Sequence, residues 1–158
     1  MTPPLTLPSA GSPRQSRFNR FMALWLASPL GFISGGVVLL RYVGRRSGEP
    51  RQLPVNCEKF ENGYLIRVGR PEQKNWWRNF TEPRPLEIVS GRRRVQGSAV
   101  VVPGTSGWGQ RLAADYLMAH RGAAKRAGLP PMEKGERPAP EALAAAAATL
   151  VFVVVTPR

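Results

Sequence analysis

Short runs rich in apolar and β-branched residues follow one another along most of the chain, and these runs predict β-strands. The runs lie at residues 37–43, 52–60, 64–68, 86–89, 94–102 and 149–155, with turn-forming residues between them. Because the connections at residues 44–50, 61–63 and 91–92 are short, neighbouring strands are expected to pair as antiparallel hairpins. Six such strands are enough to close a small barrel, and no spacing typical of a parallel sheet occurs.

Three other segments show helical periodicity. The pair Ser12-Pro13 has the form of a helix start, and the periodic apolar residues after it are Phe18, Phe21, Met22, Trp25 and Leu26. They predict an amphipathic helix that packs across one end of the barrel. Its flank carries Arg14, Arg17 and Arg20, which leave contact with a membrane surface as an alternative. Two further helices are predicted at residues 108–127 and 141–148, on either side of a Pro-rich loop.

The apolar stretch at residues 22–40 carries no formally charged side chain. Pro29, Gly31, Gly35 and Gly36 divide it, so we predict a short helix, a turn and a strand in place of a membrane span. Residues 1–15 are rich in Pro, Ser and Thr and are expected to form a disordered arm. The rest, residues 16–158, is expected to fold as one domain with a single core.

Charge and residue usage narrow the classes of function. The chain has 23 Lys and Arg against 10 acidic residues, a formal charge of +13, which predicts a negatively charged partner. Cys57 and His120 are the only cysteine and histidine, so an internal disulfide and a cysteine-based zinc site are excluded. Metal clusters and histidine-based triads are poor candidates as well. The lone cysteine suits a reducing, cytoplasmic compartment.

The first predicted connection combines the groups that bind phosphate. Its sequence is Gly44-Arg45-Arg46-Ser47-Gly48. The glycines permit a tight turn, and guanidinium groups, a hydroxyl and backbone amides are the donors that an oxyanion accepts from. Arg51 follows at the mouth of the next strand, where its planar fork suits a second phosphate or carboxylate. We interpret this segment as a candidate phosphate cradle, with a solvated basic turn as the alternative.

A second cluster combines cations, amides and two indoles. It consists of Gly69-Arg70 followed by Lys74-Asn75-Trp76-Trp77-Arg78-Asn79-Phe80. Indole faces stack on planar rings or guanidinium groups, and the amide side chains form hydrogen bonds, so the cluster suits a planar anionic ligand. Because Trp76 and Trp77 are adjacent, both cannot face one pocket squarely, and one of them is expected in the core.

Three motifs, in order along the chain, resemble the deazaflavin-dependent nitroreductase family of split β-barrel oxidoreductases. They are Leu39-Leu40, the hairpin that runs from Gly44 through Arg51 to Pro54, and Trp76-Trp77-Arg78-Asn79-Phe80. The family counterparts are a strand ending in Leu-Leu, a Gly-Arg-Lys-Ser/Thr-Gly-x-x-Arg-x-x-Pro hairpin and Trp-Tyr-x-Asn-Leu. The Val-rich stretch at residues 151–157 also resembles the closing strand of the family.

The resemblance implies a mainly β (α+β) fold, a six-stranded antiparallel split β-barrel with an N-terminal helix and C-terminal helices. It implies an enzyme that transfers a hydride from reduced coenzyme F-420 to a small organic acceptor. Residues implied to hold the phosphate and acidic tail are Arg45, Arg46, Ser47 and Arg51. Those implied to border the cofactor groove are Pro54, Val55, Gly69, Arg70, Trp76 and Asn79. Gly44, Gly48 and Trp77 complete the predicted cofactor site. A proton is expected from solvent or from a hydroxyl such as that of Tyr116.

Several alternatives stay open. A split barrel that binds FMN or haem is the nearest one, although a single histidine weakens haem ligation. A non-catalytic cofactor carrier and a membrane-surface protein are two further alternatives. A basic barrel that binds single-stranded nucleic acid is a further class, without a module signature to support it. The sequence permits a monomer or a homodimer, and a cytoplasmic protein with or without membrane contact.

Overall fold

The computed structural model of the protein describes residues 36–158. These residues form an antiparallel sheet with strands β1 (Val37–Val43), β2 (Pro50–Asn56), β3 (Glu58–Phe60), β4 (Gly63–Arg67), β5 (Arg84–Ser90), β6 (Arg93–Pro103) and β7 (Val151–Pro157). The helices are α1 (Gly107–Ala119), α2 (Arg121–Arg126) and α3 (Pro140–Ala147), with two 3-10 helices at Pro71–Gln73 and Trp76–Phe80. The predicted arm at residues 1–15 and the predicted first helix lie outside the described residues.

The order of the strands shows that the sheet coils strongly. It runs β2-β1-β5-β6-β7-β4-β3, so the two edge strands, β2 and β3, are consecutive in the chain. A flat sheet of this width would separate its edges by about 29 Å. Asn56 and Glu58, however, flank a single residue, Cys57, and two residues of extended chain span only about 7 Å. The sheet therefore curls until its edges meet at Cys57, as in a split barrel.

The prediction of six strands that close a barrel is wrong, because seven strands form and the ladders of the described residues leave the sheet open. The difference arises at Cys57, in the middle of the run predicted at residues 52–60. Before Cys57 the chain pairs with β1, and after it the chain pairs with β4. The Cys57 N–H donates to the carbonyl of Gly36 at 2.8 Å, and this hydrogen bond holds the bend at Cys57 beside β1. Leu53, Val55 and Cys57 follow a spacing of two residues, but the next apolar residue is Phe60, so the alternation changes phase at the bend. The prediction of one strand over residues 52–60 passed over this change.

The predicted helix at residues 108–127 is divided into α1 and α2. His120 lies between them with φ −123° and ψ 82°, outside the helical region. Its side chain contacts β3, as described below. The predicted helix at residues 141–148 forms as α3 with nearly the same bounds.

Two buried layers lie on opposite sides of the sheet. The inner core, inside the coil, includes Val38, Leu40, Tyr42, Ile66, Phe80, Val153 and Val155. The helix core, between the outer face and the helices, includes Leu112, Leu117, Ala147, Phe152 and Val154. Since successive side chains of a strand point to opposite faces, β7 supplies both layers. This explains why its sequence is a continuous apolar run instead of an alternating one.

The registers bring both sequence clusters to one end of the sheet, which we call the loop end. The β1–β2 loop (residues 44–49) closes this end where Val43 pairs with Pro50. The connection from β4 to β5 reaches the same end, because β5 begins at Arg84 and runs antiparallel to β1. The β5–β6 hairpin, where Ser90 pairs with Arg93, lies at the opposite end.

Candidate functional site

The β1–β2 loop is a tight and well-braced turn. The Gly44 N–H donates to the carbonyl of Glu49 at 2.8 Å, and the Gly48 N–H donates to the carbonyl of Gly44 at 2.9 Å. Gly48 has φ +67°, a conformation that favours glycine. A Cβ at Gly44 would lie 2.5 Å from Oγ of Ser47, so this hydroxyl sits against the glycine backbone. The same hydroxyl oxygen accepts from the Glu49 N–H at 3.2 Å.

Three guanidinium groups surround this turn. Arg45 and Arg46 are exposed on the loop, and Nη1 of Arg45 donates to Oγ1 of Thr81 at 2.9 Å. Arg51 lies on β2 opposite Tyr42 and forms an exposed ion pair with Glu49 at 3.7 Å. Within residues 36–158 no ion pair involves Arg46. The loop therefore concentrates positive charge beside a hydroxyl and a tightly turned backbone.

Asn79 joins the β1–β2 loop to the Trp76–Phe80 helix. Its Oδ1 accepts from the Arg45 backbone N–H at 2.7 Å, across 34 positions of sequence. Its Nδ2 donates to the carbonyl of Trp76 at 2.7 Å. The two clusters that the sequence singled out are thus in direct contact through one amide side chain.

Both indoles are half-buried, so each ring is partly in the core and partly exposed to solvent. Trp76 packs edge-on against Phe80 with ring centroids 6.4 Å apart, and Phe80 packs against Tyr42 at 5.3 Å. The Trp77 Nε1–H donates to the carbonyl of Pro71 at 3.1 Å, and the Arg78 guanidinium lies 5.3 Å from the Trp77 ring centroid. In a 3-10 helix adjacent side chains diverge by about 120°. Both rings pack against the inner core, where Trp76 contacts Phe80, and Trp77 also holds the preceding turn through its hydrogen bond to Pro71.

The chemistry of these donors suits a ligand with a phosphate or carboxylate group and an apolar ring. Further basic side chains follow at Arg70, Lys74 and Arg78 on the connection from β4 to β5, and at Arg84, the first residue of β5. Planar guanidinium forks bind phosphates and carboxylates in bidentate fashion, and half-buried indoles offer edges and faces to a ring. The acidic residues among them are Glu49, Glu72 and Glu82.

The sequence matches the F-420H(2)-dependent quinone reductase family over residues 26–116, more than half of the chain. The chain belongs to this family. The matched segment contains the β1–β2 loop, the Trp76–Phe80 helix and most of the sheet. The resemblance to deazaflavin-dependent split-barrel oxidoreductases, inferred from the three motifs, is confirmed.

Solved structures resemble this quinone reductase family member in fold. HutZ, the heme storage protein from Vibrio cholerae, is 10% identical with a TM-score of 0.52, covering 80% of this chain and 84% of its own. A FAD-binding protein from Mesorhizobium loti is 14% identical with a TM-score of 0.44, covering 80% and 84%. The FAD and heme binding protein from Mycobacterium smegmatis is 16% identical with a TM-score of 0.44, covering 93% and 67%. No curated protein matches the sequence.

In this family member the remaining predicted groove residues occupy different places. Val55 packs against the inner core, whereas its neighbour Pro54 pairs with Leu39 on the opposite face of the sheet. The two side chains therefore do not face one groove together. Gly69 and Arg70 begin the connection from β4, where Arg70 is exposed with φ 52° and Lys74 Nζ lies 3.9 Å from a Cβ at Gly69.

Tyr116 lies in the helix core, away from the inner core that supports the loop end. Its hydroxyl oxygen accepts from Nε of Arg67 at 3.0 Å, and its ring packs on His120 at 4.3 Å and on Phe152 at 5.5 Å. The structure brings Tyr116 together with these residues and not with the β1–β2 loop.

Three further residues of the loop end were not among the predicted site residues. Thr81 contacts Arg45 across 36 positions, and Glu49 contacts Arg51. Tyr42 is buried opposite Arg51. Burial raises the pKa of its hydroxyl above the usual value, and the Arg51 charge, which acts in the opposite direction, has the smaller effect. The hairpin register could have paired Tyr42 with Arg51, but no local pattern indicates Thr81.

The other titratable groups of note have structural partners. Nε2 of His120 lies 2.9 Å from Oε2 of Glu58, so the only imidazole of the chain is engaged with β3. Burial, and then the charge of Glu58, raise the pKa of the Cys57 thiol to about 12. Over residues 36–158, no group of three His, Cys, Asp or Glu side chains is placed to hold a metal ion. In the same range no helix has the length and hydrophobicity to cross a membrane.

Proposed function

We propose that the loop end binds coenzyme F-420 and that the protein is a nitroreductase-like or quinone reductase-like enzyme that reduces a small organic acceptor. Membership of an oxidoreductase family supports the class of reaction. The observation that carries the proposal is the hydrogen bond from the Arg45 N–H to Asn79, which joins the arginine-rich loop to the indoles. A ligand with a charged tail and a flat ring needs both groups at one place.

The residues present fit such a ligand. Arg45, Arg46 and Arg51, with the Ser47 hydroxyl, are the groups proposed to hold the phosphate and the acidic tail. Ser47 packs closely against Gly44, so a side chain at position 44 would displace its hydroxyl from the loop. Val55, Gly69, Arg70, Trp76, Trp77 and Asn79 are proposed to border the groove.

When bound, the reduced coenzyme supplies the hydride, so the protein has little acid–base chemistry to perform. The histidine and the cysteine of the chain, at positions 120 and 57, both lie outside the loop end. The part of the chain's own residues is to bind the anionic tail and to orient the ring. Solvent is the preferred proton source over Tyr116, because the Tyr116 hydroxyl is hydrogen-bonded to Arg67 in the helix core.

Titration of F-420 fluorescence against the purified protein tests the proposal. We expect the Arg45→Ala, Arg46→Ala, Arg51→Ala triple variant to weaken binding by at least about a hundredfold, since charge-assisted hydrogen bonds are lost. The matched control changes Arg92, Arg93 and Arg94 to alanine, which removes the same charge from the exposed hairpin at the opposite end. Equal losses in both variants, or no binding by the unchanged protein, would contradict the site.

Turnover is tested separately with the reduced coenzyme. Its oxidation is followed by absorbance in the presence of quinone, nitro and enone acceptors, with the arginine triple variant as the negative control. Protein-dependent oxidation by at least one acceptor class is expected. Tight binding without oxidation by any of them would instead identify a cofactor carrier.

A further inference from the structure

The β1–β2 loop contains an acidic residue beside the arginines that are proposed to bind an anion. Oε2 of Glu49 lies 3.7 Å from Nη2 of Arg51. The two side chains are 66% and 44% exposed, so a ligand has free access to the pair. A ligand phosphate or carboxylate that binds Arg51 therefore comes close to the Glu49 carboxylate.

Glu49 cannot leave the site easily, because its backbone is fixed at both of its polar groups. Its carbonyl accepts from the Gly44 N–H at 2.8 Å, and its N–H donates to Oγ of Ser47 at 3.2 Å. These bonds belong to the same turn that positions Ser47. The side chain can rotate away from Arg51, but its negative charge stays within the loop whether or not a ligand is present.

We propose that Glu49 is an intramolecular counter-ion that competes with the ligand for Arg51 and so limits the affinity of the site for negative charge. The inference rests on the proposed function, since it concerns the same anion site. In this role Glu49 determines specificity. It lowers the binding affinity more for a ligand group with more negative charge, and it does not lower the affinity for a neutral ligand. Repulsion between the Glu49 carboxylate and one negative ligand charge about 7 Å away in water lowers the affinity about threefold.

The opposite role for Glu49 is to orient Arg51 for the ligand. The two roles predict opposite signs for the same substitution. If the carboxylate competes, its removal tightens binding, and if it orients the guanidinium, its removal weakens binding.

The experiment measures the dissociation constant of F-420 for the unchanged protein, Glu49→Gln and Glu61→Gln. The Glu61 variant removes the same charge from the exposed β3–β4 turn, at the end of the sheet opposite the loop end. The phosphate-free deazaflavin, which lacks the charged tail, serves as the neutral ligand. Each constant is measured at low ionic strength and at about 1 M salt, where charges are screened beyond about 3 Å.

We expect Glu49→Gln to tighten F-420 binding threefold to tenfold at low salt, in line with about threefold per charge. The gain should vanish at high salt, and affinity for the neutral deazaflavin should not change. Unchanged or weaker F-420 binding by Glu49→Gln would overturn the inference, as would an equal gain in Glu61→Gln. If the unchanged protein binds the neutral deazaflavin and F-420 equally well or not at all, the proposed anion site itself is wrong.

Discussion

Asn79 is the side chain on which the geometry of the loop end depends most. It accepts from the Arg45 backbone and donates to the carbonyl of Trp76, so it fixes the loop relative to the indoles. The amide is one of few side chains that can accept at one atom and donate at the other. The sequence predicted that Asn79 borders the cofactor groove; its bonding partners were not predictable, because they depend on contacts across 34 residues.

For this reason Asn79→Ala should weaken F-420 binding by about tenfold and lower the free energy of unfolding by about 1–2 kcal/mol, since the Arg45 N–H loses its acceptor. Binding is measured by fluorescence titration and stability by urea denaturation. Asn75→Ala is the matched control, because Asn75 is exposed and its side chain makes no capping hydrogen bond. A variant at position 79 that binds as tightly as the unchanged protein would show that the link does not shape the site.

At the scale of elements, the hairpin of β1 and β2 was the most predictable part of the fold. The strand predicted at residues 37–43 forms with the same bounds, since a nearly continuous run of β-branched and other apolar residues is bracketed by Gly36 and Gly44. The boundary between β2 and β3 was missed although the apolar spacing of two residues ends at Cys57, because the sequence does not show that the chain changes partner there. The break at His120 was also missed; the contact of its side chain with Glu58 on β3 spans 62 positions of sequence.

The same hairpin gives a prediction about backbone space. Gly44→Ala should weaken F-420 binding and lower stability by about 0.5–1.5 kcal/mol, because the added methyl displaces the Ser47 hydroxyl, which then loses its hydrogen bond with the Glu49 N–H. In the Gly44→Ala, Ser47→Ala variant the loss of stability should be no larger than in Gly44→Ala alone, because the hydroxyl is already displaced there. Gly107→Ala is the control, since nothing lies within 4 Å of a Cβ there. Thermal denaturation of the three variants measures the effect, and equal losses at positions 44 and 107 would contradict it.

At the scale of the whole molecule, β7 holds the two cores together. Phe152 is 0% exposed in the helix core and Val153 is 0% exposed in the inner core. The sequence predicted this strand at residues 149–155, two residues before its observed bounds. It could not predict that β7 lies between β6 and β4, because that order is set by pairings distant in sequence.

Phe152→Ala should therefore lower the free energy of unfolding by about 3–5 kcal/mol, since it leaves a cavity in a fully packed layer. Thr156→Ala, on the same strand but exposed, should change stability by less than about 0.5 kcal/mol. Urea denaturation of both variants provides the comparison. A small effect at position 152 would mean that the helices close over the gap.

The position of β7 also bears on how the protein is made. The β3–β4 hairpin can dock on the rest of the sheet only through a strand that the ribosome adds last among the seven. Early in synthesis the emerging chain therefore holds two unfinished halves with unpaired edges, which are prone to association with other chains. Completion of the seven-stranded sheet, and with it any cofactor uptake that needs the whole fold, has to wait until residues 151–157 leave the exit tunnel.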